Sequence, residues 1–229
     1  MEKKREEPGV IEKKEFYKKA MDEPALTRSR FTELLMRNMG AAEDGFKEWI
    51  FCAGMLFNAR DKWWGDRGKR SRPHEGLDLC LYRNRQGRIH CLAEGTAVPA
   101  MYNGVVVKII DDFLGKSIII EHTFPGHRPF CSIYGHTIPE RGIEAGSRVK
   151  EGDDIAAIAD TGRSKTGMLP HVHITIGLVT PETSYELMNW ETIGSPDMLT
   201  LLDPLGVIEG NYVILDSDMP LCPDRQGHI

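Results

Sequence analysis

The sequence predicts a mainly β protein, built on an antiparallel sheet and preceded by a polar helical segment. Between residues 77 and 176 nearly every apolar run is short, rich in β-branched or aromatic residues, and closed by Gly, Asn or Asp. No helical pattern alternates with these runs, which disfavours a parallel α/β sheet. Ahead of them the chain is charged, with apolar residues at helix-like spacing.

Taken in order, Pro8 and Pro24 interrupt the first helical segment, because each disfavours helix at the residue before it. Phe31, Leu34 and Leu35, then Phe46, Trp49 and Ile50, repeat at helix-like intervals, with Thr27 and Ser29 as candidate caps. Residues 1–50 therefore read as an N-terminal helical preface. A loop follows, holding Asn58, Arg60, Trp63 and Trp64 and the basic run Gly65 to Arg72. Strands are predicted over 79–82, 89–92, 104–110, 117–121, 130–134, 154–159 and 171–176, with Asn84-Arg85-Gln86-Gly87 as a hairpin turn. Beyond Pro181 the pattern predicts short helices over 185–190 and 198–202 and a last strand over 212–215. The main domain thus spans 51–215, and 216–229 is a loosely held tail.

Composition narrows the function classes. Of 229 residues 41% are hydrophobic, enough for a real core. A net charge of −5 with mixed signs argues against nucleic-acid binding. No run is long and apolar enough for a membrane-spanning helix, and residues 1–20 lack the apolar stretch of a signal peptide. The five cysteines include no C-x-x-C pair, so free thiols are expected, with Cys80–Cys91 open as a pairing if their strands are neighbours.

The chemistry concentrates in three stretches. In Pro170-His171-Val172-His173-Ile174-Thr175-Ile176 the alternation of a strand sends both imidazoles to one face. Burying them there without partners is costly, and a metal or a catalytic network offsets that cost. Pro73-His74-Glu75-Gly76-Leu77-Asp78 adds a histidine and an aspartate four residues apart. His74, Asp78 and one histidine of the later pair make three protein ligands, the number a hydrolytic zinc site uses while keeping a fourth position open. Tyr134-Gly135-His136 adds a further histidine at a strand end.

H-x-G-x-D, then Y-G-H, then P-H-x-H, in this order, resembles the M23 (lysostaphin-like) family of zinc metallopeptidases. The resemblance covers roughly residues 72–180. It implies the antiparallel β peptidase domain of that family, of the duplicated-hybrid type, and one zinc ion per chain. It implies His74, Asp78 and His173 as ligands and His136 and His171 as the catalytic pair. The substrate it implies is a peptidoglycan peptide, and the location the cell envelope, periplasm or exterior, despite the absent leader pattern. The oligomeric state is left open. Tyr134 is a candidate for the core or for the site wall, where it would contact substrate. The segment Asp160 to Gly167 resembles the family's T-G-x-S-T-G turn but inserts Lys165, and Met168-Leu169 precede Pro170. Arg163 and Lys165 are therefore candidate substrate contacts, since basic groups attract the carboxylates of stem peptides. Some family members are latent, with an upstream asparagine occupying the metal, and Asn58 is the candidate here. Glu75 reads as solvent-facing, and His90, His122, His127 and His228 as surface or loop residues. Two competing readings are a non-cleaving module with the same fold and, more remotely, a lipoyl-type carrier hairpin around Lys150.

Overall fold

The computed structural model describes residues 26–40, 45–161 and 167–215. The one described α-helix, α1, is Phe31–Asn38. The strands are β1 (Phe46–Cys52), β2 (Leu77–Leu79), β3 (Leu81–Asn84), β4 (Ile89–Cys91), β5 (Ala97–Pro99), β6 (Gly104–Asp112) and β7 (Gly115–His122). They continue with β8 (Phe130–Pro139), β9 (Arg148–Val149), β10 (Asp154–Ile158), β11 (Val172–Val179), β12 (Leu199–Leu202) and β13 (Tyr212–Leu215). A nine-stranded sheet runs β12-β11-β8-β7-β6-β9, with β2 on β11 and β10 joining β5 to β8. A four-stranded sheet runs β13-β1-β3-β4. The named strands pair antiparallel except β1 with β13, and an isolated parallel bridge joins Ser29 to Ile208.

The expected β framework is present, and two elements differ. Phe46, Trp49 and Ile50 lie on strand β1, not on a helix, so the expected boundary at 50/51 falls inside a strand. Four consecutive residues of β1 are buried, Glu48 to Phe51, because both of its faces are covered. That removes the period of two that marks a half-exposed strand. The predicted helix over 198–202 is likewise strand β12, the edge of the large sheet.

The large sheet is covered on both faces. One face carries Ile118, Ile120, Phe130, Tyr134, Val172, Ile174 and Ile176 into the main core, with α1 and the small sheet against it. The other carries Ile119, Cys131 and Ile133 under Met188, Ile193 and Leu199 from the chain after Pro181. This second cover stops short of one end of β8 and β11, where that face opens into a cleft. Helix α1 packs on the core side, with the Phe31 ring 6.2 Å from that of Tyr134. The described part of the preface therefore does not roof the cleft. Residues 1–25 and 216–229 lie outside the described residues, as do any helix before Pro24 and the expected tail.

Cys52, Cys80 and Cys131 are thiols, whereas Cys91 is disulfide-bonded. The Cys80–Cys91 pairing is not formed, and the expectation of thiols throughout is corrected at Cys91. His122 is also corrected: it is fully buried, held between the Asn103 carbonyl at Nδ1 (2.9 Å) and Ser132 Oγ at Nε2 (2.7 Å). No helix among the described residues is long and apolar enough to cross a membrane.

Candidate metal centre and active site

Strand register assembles the first cluster. Antiparallel pairing sets His173 of β11 opposite Asp78 of β2 on one side and Gly135 of β8 on the other. Directly opposed residues share a face, so the Asp78 carboxylate and the His173 ring meet. The chain enters β2 across the backbone of β11. At Gly76 an added Cβ would lie 2.2 Å from the Ile174 carbonyl oxygen and 2.8 Å from His173 Nε2, so only glycine fits. That close approach brings His74 over the same spot.

All three side chains are buried, and their ligating atoms lie within 4.8 Å of one another. His74 Nε2 is 3.1 Å from Asp78 Oδ1 and 3.0 Å from His173 Nδ1, and His173 Nδ1 is 2.8 Å from Asp78 Oδ1. The remaining polar atoms are engaged elsewhere. His74 Nδ1 donates to the Leu56 carbonyl at 2.9 Å, Asp78 Oδ2 accepts from Trp63 Nε1 at 2.6 Å, and His173 Nε2 meets Thr175 Oγ1 at 2.9 Å. With Nδ1–H given to the Leu56 carbonyl, a His74 in its neutral form would turn an Nε2 lone pair toward the carboxylate oxygen. Two acceptors at hydrogen-bonding distance in a buried place call for a cation between them. Two imidazoles and a carboxylate are a zinc donor set, and outer partners of this kind fix ligand orientation. The His-Asp-His cluster fits a zinc ion. Burial pushes the Asp78 carboxyl up, but His74 and His173 outweigh it and hold it well below the usual carboxylate range. Burial pulls His173 down to about 4.

His171 and His136 stand beside this cluster. The His171 ring is 1% exposed, and its Nδ1 donates to the Leu169 carbonyl at 2.8 Å. The two residues inserted before Pro170 thus supply that acceptor. Burial pulls His171 down to about 3. His136 reaches the site through a bulge. Alternation along β8 would send it to the core face with Ser132 and Tyr134. Instead the register against β7 slips between Lys116 and Ile118, and His136 takes φ 62°. A bulge re-aims a side chain, and here it brings the His136 ring to 4.8 Å from His171 and 5.7 Å from His173. The His136 backbone N–H donates to Asp112 Oδ2 at 2.8 Å, and Nδ1 faces Asp112 Oδ1 at 3.3 Å. Burial pushes the Asp112 carboxyl up, yet His136 and the Ser117 hydroxyl outweigh it and hold it far below its ordinary value.

These residues line a cleft of about 520 Å³, walled also by Trp64, Arg70, Phe113 and Trp190. The Trp190 ring packs edge-on against His173 at 5.1 Å, and its Nε1 donates to Ser117 Oγ at 3.1 Å. Glu75, expected to face solvent, lines the cleft half-buried. Tyr134 does not reach it. Tyr134 is fully buried on the core face, where its hydroxyl accepts from the Met101 N–H at 2.7 Å. Asn58 is exposed and lines an adjoining hollow with Arg72 and Gly194 that shares His74 and Glu75 with the cleft, and its backbone N–H donates to the His74 carbonyl at 2.9 Å; it is not among the residues lining the cleft itself. Arg163 and Lys165 lie outside the described residues. Asp112 and Trp190 carry no motif and were not anticipated. In the structure Asp112 ends β6 and Gly115 opens β7, so Asp112 sits at the turn of that hairpin.

The sequence model of peptidase family M23 matches residues 83–182. Over these residues the β domain is similar to peptidase family M23. The match begins after His74 and Asp78, which join the other cluster residues through the β2–β11 register. Among solved structures, one similar chain is the catalytic domain of a mutant of the prophage-encoded M23 protein EnpA from Enterococcus faecalis. It is 24% identical over 58% of this chain and 88% of that one, with a TM-score of 0.35. A putative M23 peptidase from Pseudomonas aeruginosa is 25% identical over 65% of this chain, with a TM-score of 0.33. Lysostaphin, solved by NMR, is 18% identical over 76% of this chain, with a TM-score of 0.40. The chain spans 56% and 60% of the last two. A search of curated proteins finds no match.

Proposed function

We propose that this protein is a zinc-dependent endopeptidase that hydrolyses peptide bonds in peptidoglycan stem or cross-link peptides. The observation that carries this reading is the convergence of His74, Asp78 and His173 in one cleft with two further histidines. A zinc ion there supplies Lewis acidity and makes water acidic enough to ionise near neutral pH. The protein's own groups divide the proton work. His171, with Nδ1–H given to the Leu169 carbonyl, turns a neutral Nε2 toward the cleft and accepts a proton there. His136 gives its Nδ1–H to the Asp112 carboxylate and turns Nε2 toward the cleft, where, once that nitrogen has taken a proton, it donates to the oxyanion of the scissile carbonyl. Trp64, Phe113 and Trp190 give the cleft apolar walls that exclude water around these groups. The likeness to family M23 points to the cell envelope or exterior, and the disulfide at Cys91 suits an oxidising compartment.

The test is digestion of purified peptidoglycan, with and without a chelator, followed by mass analysis of the released fragments. New peptide termini that vanish with the chelator are expected. A zinc-loaded protein that binds peptidoglycan and releases nothing is instead a non-cleaving module on the same fold.

A further inference from the structure

The Asp112 carboxylate has more hydrogen-bond donors than a turn residue needs. Its side chain is 1% exposed although it sits beside the exposed tip of the β6–β7 hairpin. Oδ2 accepts from the His136 backbone N–H at 2.8 Å and from Ser117 Oγ at 2.6 Å. Oδ1 accepts from the Leu114 N–H at 2.8 Å and faces His136 Nδ1 at 3.3 Å. Ser117 is itself fixed by the Trp190 indole at 3.1 Å. The Leu114 contact alone closes the turn. The others join the hairpin to the bulge and to the wall of the cleft.

We propose that Asp112 is a positioning residue that holds His136 with its proton on Nδ1 and its Nε2 facing the cleft. The proposal rests on the peptidase reading for its catalytic consequence, but not for its geometry. An ionised carboxylate is an acceptor only, so a ring nitrogen beside it carries the proton. Because Asp112 also grips the backbone N–H, it fixes the left-handed residue and the ring by one group. It also makes the two cleft histidines unequal. His171 Nδ1 is backed by an uncharged carbonyl and His136 Nδ1 by a carboxylate.

The experiment is nitrogen-15 NMR of the His136 ring in the zinc-loaded full chain, with and without Asp112→Asn. In the unsubstituted protein, neutral His136 is expected to carry its proton on Nδ1. A proton on Nε2 overturns the proposal whatever the variant does. The asparagine amide offers an N–H toward the ring and is expected to move the proton to Nε2. In the same variant kcat should fall at least about 100-fold with KM and zinc content kept, in the range lost with a general acid or base. An unchanged tautomer, an unchanged kcat, or a loss of kcat that merely follows loss of zinc each overturns it. Should the unsubstituted protein cleave no peptidoglycan, the peptidase reading fails, while the ring spectra still decide the role of Asp112.

Discussion

His173 and Asp78 face one another across the β2–β11 ladder, with His173 Nδ1 2.8 Å from Asp78 Oδ1. The register brings them together, although they are far apart in sequence. Asp78 also takes Trp63 Nε1 at 2.6 Å on its other oxygen, so the carboxylate is aimed before any metal arrives. The purified protein should therefore hold about one zinc per chain, removed by His74→Ala or Asp78→Ala. Trp63→Phe should keep the ligands and weaken zinc affinity by about 10- to 100-fold, as loss of an outer partner does. Elemental analysis and a competitive chelator titration read both. Full occupancy in Asp78→Ala would rule out this donor set.

Gly76 gives a prediction about stability. Its backbone passes so near β11 that a methyl group would overlap the Ile174 carbonyl. Backbone cannot step aside as a flexible side chain can, so Gly76→Ala should cost about 2 kcal/mol or more. In a chain of this size that lowers Tm by roughly 4–8 °C, and displaced β2 should release zinc too. A thermal melt matching the unsubstituted protein would show that β2 has room to shift.

The residues that identify the site are legible because they occur in short fixed spacings on strands. His171 and His173 alternate, and His74, Gly76 and Asp78 are two apart. Asp112, Trp63 and Trp190 are not legible, because each reaches the site through tertiary packing of a turn or loop with no spacing of its own. His136 was found by its neighbours Tyr134 and Gly135, yet plain alternation would have put it in the core. Only the bulge explains its position. Phe46, Trp49 and Ile50 read as helix because three-four spacing also arises on a strand buried on both faces. His122 was read as more exposed than it is, and Tyr134 takes the core place of the two open to it, because the polar atoms of both find partners inside.

His122 makes stability depend on pH. Burial lowers its pKa from the ordinary 6.5 to about 4. Its ring faces Tyr102 and Phe130, its nitrogens meet Asn103 and Ser132, and no charged contact offsets the burial. The unfolded chain then binds a proton that the folded chain refuses between these two values. Stability is full above about pH 6.5 and falls as pH drops toward 4, by an amount on the order of 3 kcal/mol for this residue. Other buried histidines add their own slopes, so the difference from His122→Gln isolates this one. Urea unfolding of both proteins from pH 4 to 7 should show the shallower fall in the variant. Parallel curves would mean that His122 is not buried as a neutral ring.

The last prediction concerns the two histidines outside the ligand set. His171 Nε2 lies 3.9 Å from Asp78 Oδ1, farther than either ligand nitrogen, and His136 approaches only through ring contacts. Removing either leaves His74, Asp78 and His173 and their outer partners intact. His136→Ala and His171→Ala should therefore keep zinc and the fold. Each should lose about 10²- to 10⁴-fold in kcat, the range for a positioned acid or base. Their rings are 4.8 Å apart and serve one step, so they should also act as a unit. Groups that act as a unit are far from additive, so the double variant should be little worse than the weaker single one. Zinc content, kcat and KM for the four proteins complete the cycle. Zinc loss from either single variant would move that histidine into the ligand set. Fully additive losses would separate the two rings into independent roles.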